Sequence, residues 1–188
     1  MRMGRVAAIL LTIGLVLTLA PAAQARDPRW EFYTADERHY TSPWFKGAHR
    51  IMIPFGCTRA PYYSPDPRCR LDRGFHHGID IAMPCGTKLF AAVPVRRVSS
   101  AALGPAYGDN PVLLRNRRHG FDLVIGHTRK VYVPVGKRIG RGTLFARASD
   151  RGAPDGCHLH FEQRAVEGGL STAVFPRKLL RLTVKRQS

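Results

Sequence analysis

The chain has 188 residues, 44% of them hydrophobic, with 18 Gly and 14 Pro, which is the size and composition of one turn-rich globular domain and excludes an intrinsically disordered chain. Thirty Lys and Arg stand against thirteen Asp and Glu, a formal charge of +17. That balance points to surroundings rich in negative charge, whether nucleic acid, anionic lipid or an acidic polymer, and does not choose among them.

At the N-terminus, Arg2 and Arg5 precede an apolar run from Val6 to Ala20, and Pro21 leads into Ala23-Gln24-Ala25. This order of features reads as a cleavable secretory signal over residues 1–25. The run is shorter than the roughly 20 residues of a membrane-spanning helix, and nothing later in the chain is comparably apolar. A soluble, secreted protein without stable membrane insertion after signal cleavage is expected. The first cysteine is Cys57, which argues against a lipid anchor on a processed cysteine, and no twin arginine precedes the run. Removing residues 1–25 takes away two Arg and no acid, so the formal charge falls from +17 to +15.

Residues 26–45 carry both tryptophans, Trp30 and Trp44, with little periodicity, and are expected to form an extended arm lying across the domain. The domain itself is expected over residues 46–176. Short apolar or alternating runs, separated by Gly, Pro and Asp, predict strands at His49–Phe55, Gly78–Ala82, Thr87–Val95, Val112–Asn116, Phe121–His127, Arg129–Val135 and Leu159–Arg164. Asn116 to Gly120 is placed for a hairpin turn. After the signal no run keeps helical periodicity over ten residues, so the fold class is all-β, mainly antiparallel. Residues 177–188 form a basic tail, expected as strand or coil at the solvated surface.

Four cysteines in a secreted chain favour disulfides, with three possible connectivities. Cys57 and Cys69 bracket a loop rich in Pro, and a local bridge there would stabilise by roughly 3 kcal/mol in the chain-entropy account. Cys85 and Cys157 remain as the second pair; the rival reading makes a cysteine a metal ligand.

Two patterns carry chemistry: His76-His77-Gly78-Ile79-Asp80, and His158-Leu159-His160-Phe161-Glu162. Side chains alternate faces along a strand, so even spacing puts His158 with His160 and His76 with Asp80. Two strands could then aim four polar groups at one point. Two imidazoles and a carboxylate are a donor set that suits a catalytic zinc with one position left open, and hydrolysis is the reaction such a site serves. Each pattern is weak alone; a third strand ending in His127 strengthens the pair.

Phe75 to Ala82, followed by Gly86-Thr87 and Ala91, resembles the H-x-G-x-D segment of the LytM/lysostaphin-type zinc metallopeptidases. His158 to Glu162 is similar to their H-L-H-F-E strand, Gly120 to His127 to the strand with an isolated His, and Val135 to Gly142 to the segment after it. The likeness covers roughly residues 50–165. It differs at Ile125 and Thr128 beside the isolated His, and at Phe145-Ala146. The resemblance implies an antiparallel, lysostaphin-like sheet with a substrate groove and one Zn2+ per chain. His76, Asp80 and His160 would be the ligands, and His127 and His158 catalytic histidines that do not bind the metal. It implies endopeptidase activity on bacterial cell-wall peptidoglycan, with anionic wall polymers as surroundings and a monomer that acts outside the cell or at the wall.

The alternative is a catalytically inactive wall-binding or hydrolase-regulating module of the same fold; bound zinc and chelator-sensitive lysis discriminate the two. A nucleic-acid partner is not expected, because the chain lacks an RNA-binding aromatic signature and carries a secretion signal. His77 alternates away from the His76 face and is expected to be packed or solvated. His39, His49 and His119 are expected at the surface. Glu162 shares the parity of His158 and His160, and either orients a ligand or makes a structural ion pair.

Overall fold

The computed structural model describes residues 26–186; the residues read as a secretory signal lie outside the described residues. The strands are β1 (Tyr40–Ser42), β2 (Phe45–Ile53), β3 (Gly56–Thr58), β4 (Gly74–His76), β5 (Ile79–Ala82), β6 (Lys88–Phe90) and β7 (Val95–Val98). They continue as β8 (Val112–Asn116), β9 (Phe121–Gly126), β10 (Thr128–Arg129), β11 (Arg138–Ile139), β12 (Leu144–Ala148), β13 (His158–Ala165) and β14 (Thr183–Val184). One four-residue helical turn, α1 (Arg177–Leu180), precedes β14. Twelve strands make one curled sheet in the order β10-β12-β6-β2-β5-β13-β9-β8-β7-β11, with β1 and β14 attached beside β2. β3 and β4 form a separate ribbon. All of these pairings are antiparallel. The chain is thus all-β and antiparallel, as the sequence predicts.

Alternation along the central strands explains how the site is placed. Ile79 and Ile81 of β5, Leu123 and Ile125 of β9, and Leu159 and Phe161 of β13 enter one core with Trp44 and Phe145. Asp80, Asp122, His158, His160 and Glu162 hold the alternate positions and project from the other face. They too are buried, because the segments around Pro54, Tyr107 and Arg151 close over that face. A second core of Met52, Ile53, Ala60 and Ala82 receives Trp30, Phe32 and Tyr33 from the N-terminal segment.

Several boundaries differ from the sequence expectation. The run Thr87–Val95 is broken, with β6 ending at Phe90 and β7 starting at Val95. In the run Arg129–Val135 only Arg129 is in a strand, since Lys130 takes a positive φ of 49° and Pro134 follows. β12 has no strand pattern in the sequence, because Phe145 and Ala146 are both buried and the segment lacks the alternation of a half-exposed strand. The turn from Asn116 to Gly120 forms as expected, with the Asn116 side chain accepting from the His119 N–H and Gly120 at φ 71°.

The tail is not simply solvated surface. Leu180 is 1% exposed and joins the main core, and Trp44 Nε1 donates to the Leu179 carbonyl at 2.7 Å. His49 is also a correction: it is buried against the Phe45 ring, with its Nε2 2.8 Å from the Lys46 carbonyl. His39 and His119 are exposed. The disulfides pair Cys57 with Cys69 and Cys85 with Cys157, with Cα separations of 5.5 and 5.3 Å. Among the described residues no helix is long and apolar enough to cross a membrane.

Candidate metal centre and active site

Antiparallel register puts His160 of β13 directly opposite Asp80 of β5 and, on its other side, opposite Gly126 of β9. His76 arrives differently from the sequence expectation. It ends β4, and the chain bends through His77 and Gly78 before Asp80 enters β5, so strand parity is not what brings the two together. Close packing against His160 leaves no room for a side chain at Gly78 or Gly126. A Cβ on Gly78 would lie 2.6 Å from His160 Cε1, and one on Gly126 would lie 3.0 Å from His160 Cβ.

The result is a buried trio. His76 Nε2 lies 3.2 Å from His160 Nδ1 and 3.5 Å from Asp80 Oδ1, and His160 Nδ1 lies 2.9 Å from Asp80 Oδ1. Ligands held at 2.0–2.1 Å in a tetrahedron stand about 3.4 Å apart, so the spacing and the nitrogen and oxygen donors fit a zinc ion. The outer bonds fix which nitrogens face inward. His76 Nδ1 donates to the Pro54 carbonyl at 3.1 Å, and His160 Nε2 donates to Glu162 Oε2 at 3.2 Å, leaving Nε2 of His76 and Nδ1 of His160 for a metal. Burial pushes His76 down to about 4. Burial also works against a charged His160, but its bonds to Asp80 and Glu162 prevail and raise it to about 9.

Glu162 is itself held. Arg164 Nε donates to its Oε1, and the Tyr107 hydroxyl donates to its Oε2 at 3.0 Å. Burial would raise this carboxyl, yet His160 and Arg164 bring it down to about 2. Arg164 could have been found from sequence, because it continues the even spacing of His158, His160 and Glu162. Tyr107 gave no signal; it comes from a 3₁₀ turn (Pro105–Tyr107) far along the chain. Tyr63 likewise arrives from the Cys57–Cys69 loop, its ring centroid 5.0 Å from that of His76.

His127 and His158 lie side by side next to the trio, their ring centroids 4.3 Å apart. His127 follows the end of β9 at φ 51°, a left-handed conformation rare outside glycine. Its backbone N–H donates to the Tyr107 carbonyl at 2.9 Å, and its carbonyl accepts from the Ser149 N–H at 2.8 Å, which holds the turn. His127 Nδ1 donates to the Arg151 carbonyl at 2.9 Å, and His158 Nδ1 to the Gly156 carbonyl at 3.0 Å. Each therefore presents Nε2 as an acceptor. Burial, then the neighbouring His158, pushes His127 down to about 3. His158 stands between two carboxylates, with Nε2 3.7 Å from Asp80 Oδ1 and Nδ1 3.6 Å from Asp155 Oδ1.

The segment before His158 is clamped from the N-terminal arm. Asp27 Oδ2 accepts the Cys157 N–H at 3.0 Å, and Trp30 Nε1 donates to the Cys157 carbonyl at 2.6 Å. Arg29 ties Asp27 to Asp150. Cys85, Asp150 and Cys157 also cluster, but the two sulfurs are bonded to each other and offer no thiolate to a metal. His77 is half-buried, with Nε2 3.0 Å from Arg68 Nη2.

The model of Peptidase family M23 matches residues 74–172, more than half of the chain, and spans all five of these histidine and aspartate positions. The chain belongs to this family. A solved structure of LytU is similar at 26% identity and a TM-score of 0.57, covering 71% of this chain and 85% of LytU. The catalytic domain of the antimicrobial peptidase lysostaphin from Staphylococcus simulans is similar at 25% identity and a TM-score of 0.55, covering 71% of this chain and 92% of that domain. No curated protein matches significantly. M23 membership makes the chain a member of a zinc-dependent peptidase family, and its His-Asp-His cluster is of the composition such a metal takes.

Proposed function

We propose that this M23 chain is a secreted zinc metalloendopeptidase, with one zinc per chain, that hydrolyses peptide bonds in the cross-links or stem peptides of bacterial peptidoglycan. In this reading residues 1–25 are removed on export and the domain works as a monomer at the cell wall. The observation that carries it is the buried trio of His76, Asp80 and His160, whose inward donor atoms lie 2.9–3.5 Å apart. When bound there, zinc supplies a Lewis acid for the scissile carbonyl and makes water a competent nucleophile near neutral pH.

The chain's own residues do the rest. Glu162 holds His160 in the tautomer whose Nδ1 is free, and Arg164 with Tyr107 holds Glu162. His127, kept neutral, accepts a hydrogen bond from the attacking water and orients it. His158 Nε2 takes the proton, the imidazolium being flanked by Asp80 on its Nε2 side and Asp155 on its Nδ1 side, and Nε2 returns the proton to the leaving amine. The lysostaphin domain supports the choice of substrate class, since a peptidase of this fold with antimicrobial action resembles the chain over most of its length.

His160→Ala is expected to lose stoichiometric zinc and lysis of purified peptidoglycan together, and a chelator to abolish lysis by the unaltered chain. Full zinc occupancy in each single alanine variant at His76, Asp80 and His160 would overturn the ligand set. Full zinc with no bond cleaved would leave the non-catalytic module.

A further inference from the structure

A second charged feature lies on the same sheet face, toward the far edge. The register runs Arg164 opposite Asp122, Asp122 opposite Arg115, Arg115 opposite Arg96, and Arg96 opposite Arg138. One continuous row of charged side chains thus crosses five adjacent strands, β13-β9-β8-β7-β11, on the face that carries His160 and Glu162. At about 4.8 Å per strand interval it extends about 19 Å along the sheet.

Neutralisation fails part-way along. Arg164 pairs with Glu162, and Arg115 with Asp122 and Glu167. Beyond them Arg96 gives its Nη1 only to the Gly136 carbonyl, and Arg138 and Arg118 have no acidic partner among the described residues. Like charges directly opposite one another destabilise a sheet, and here two successive pairs, Arg138 with Arg96 and Arg96 with Arg115, are both arginine. Arg59, Arg70, Arg129 and Arg141 also have no acidic partner among the described residues, so what distinguishes Arg96 and Arg138 is that the register sets them directly opposite one another. This end of the row lines a cavity of about 600 Å³ with Arg96, Arg118, Arg138 and His119, together with Arg115 and Arg117, which Glu167 holds.

We propose that this rail is a binding site for a phosphodiester polymer, held alongside the peptide strand that the metal centre cuts. Two free guanidinium groups on adjacent rungs, Arg96 and Arg138, with Cβ atoms about 5 Å apart and with Arg118 lining the same cavity, meet a chain that repeats its anion, where a lone carboxylate would engage one rung; Arg115 is already held by Asp122 and Glu167. Each guanidinium offers a planar fork to two phosphate oxygens. The lining carries no Phe, Tyr or Trp and one exposed ring, His119, so it lacks the row of aromatic platforms on which successive bases of a single-stranded nucleic acid stack. The choice of polymer rests on the wall-directed reading above; the binding does not depend on catalysis.

The test is binding of soluble poly(glycerol phosphate), with no peptide present, to the full chain and to Arg96→Glu/Arg138→Glu. Affinity at 0.1 M salt is expected to fall at least tenfold, and the slope of log affinity against log salt to shrink by about 1.4 for two lost contacts. Arg138→Ala, which removes no hydrogen bond of the described chain, should lose part of the affinity with thermal unfolding unchanged. Lys178→Glu/Lys185→Glu makes the same charge change on exposed residues elsewhere and should bind as the parent does. Equal loss in that control, or unchanged affinity in the rail variants, overturns the site. Equally tight, rail-dependent binding of oligothymidylate would make it a nucleic-acid site instead. Polymer binding retained in a chain that cleaves nothing would count against the peptidase reading alone.

Discussion

His127 and His158 share a chemistry that neither has alone. Their Nδ1 atoms are committed to the carbonyls of Arg151 and Gly156, so both offer Nε2 to the same small space. Neither belongs to the group of His76, Asp80 and His160 whose donor atoms all converge on one point, so their removal should spare the metal. His127→Ala and His158→Ala are expected to keep zinc and to lose about 10²- to 10⁴-fold in turnover. Metal analysis beside steady-state kinetics checks this, and near-normal rates in both variants would remove them from the mechanism. His158 was legible in the sequence because it shares parity with His160. His127 was placed by likeness of its segment, and the left-handed turn at φ 51° that aims it has no counterpart in strand alternation.

Among the elements, β13 is the one that organises the site, and its entry is held from far away in the chain. Cys157, one residue before β13, is gripped at its N–H by Asp27, at its carbonyl by Trp30, and at its sulfur by Cys85. The Asp27 side chain is largely covered, and the Arg29 guanidinium beside it, together with the Cys157 N–H, pulls its carboxyl down to about 2. A depressed carboxylate contributes stability above its unfolded value of 3.8 and loses it as pH falls through about 2. Protonation of Asp27 is therefore expected to loosen the β13 entry between about pH 4 and 2, and Asp27→Asn to remove that part of the acid transition. Thermal unfolding followed across this range measures it; identical acid profiles for parent and variant would show that the clamp contributes nothing. The sequence reading of residues 26–45 as an arm did not reveal this grip, because a side chain that caps a backbone 130 residues away leaves no local pattern.

At the scale of the molecule, charge and chemistry are separable. The formal charge, +15 once residues 1–25 are removed, acts over distances that salt shortens, from a Debye length of about 10 Å at 0.1 M to about 3 Å at 1 M, whereas the histidine cluster is buried and works by contact. Binding to intact cell walls should fall steeply over that range of salt, while cleavage of a small soluble cross-bridge peptide should change little. Sedimentation of the chain with purified walls, run beside peptide hydrolysis, makes the comparison. A parallel fall in both would place the charge within the peptide groove, and salt-independent wall binding would end the electrostatic account of recruitment.

The sequence by itself determined the strand-rich class, the local Cys57–Cys69 pair and the residue types of the candidate site; Cys85–Cys157 followed only as the remaining pair, with a cysteine as metal ligand its rival. The first three are local properties: alternation within five or six residues, the spacing of cysteines about a Pro-rich loop, and His and Asp at even separations. It did not determine how His76 meets Asp80, since a bend at Gly78 does what regular alternation was expected to do. It hid β12, whose two buried faces erase the period that marks a strand, and the burial of Leu180, which follows from a helical turn packed under Trp44. The Tyr107–Arg164–Glu162 support of His160 and the arginine rail were decided only by tertiary structure. Both depend on which strands are neighbours and in what register, and pairings such as Arg164 with Asp122, Arg96 with Arg138 and Tyr107 with Glu162, 42 to 55 positions apart, are set by the closure of the whole sheet.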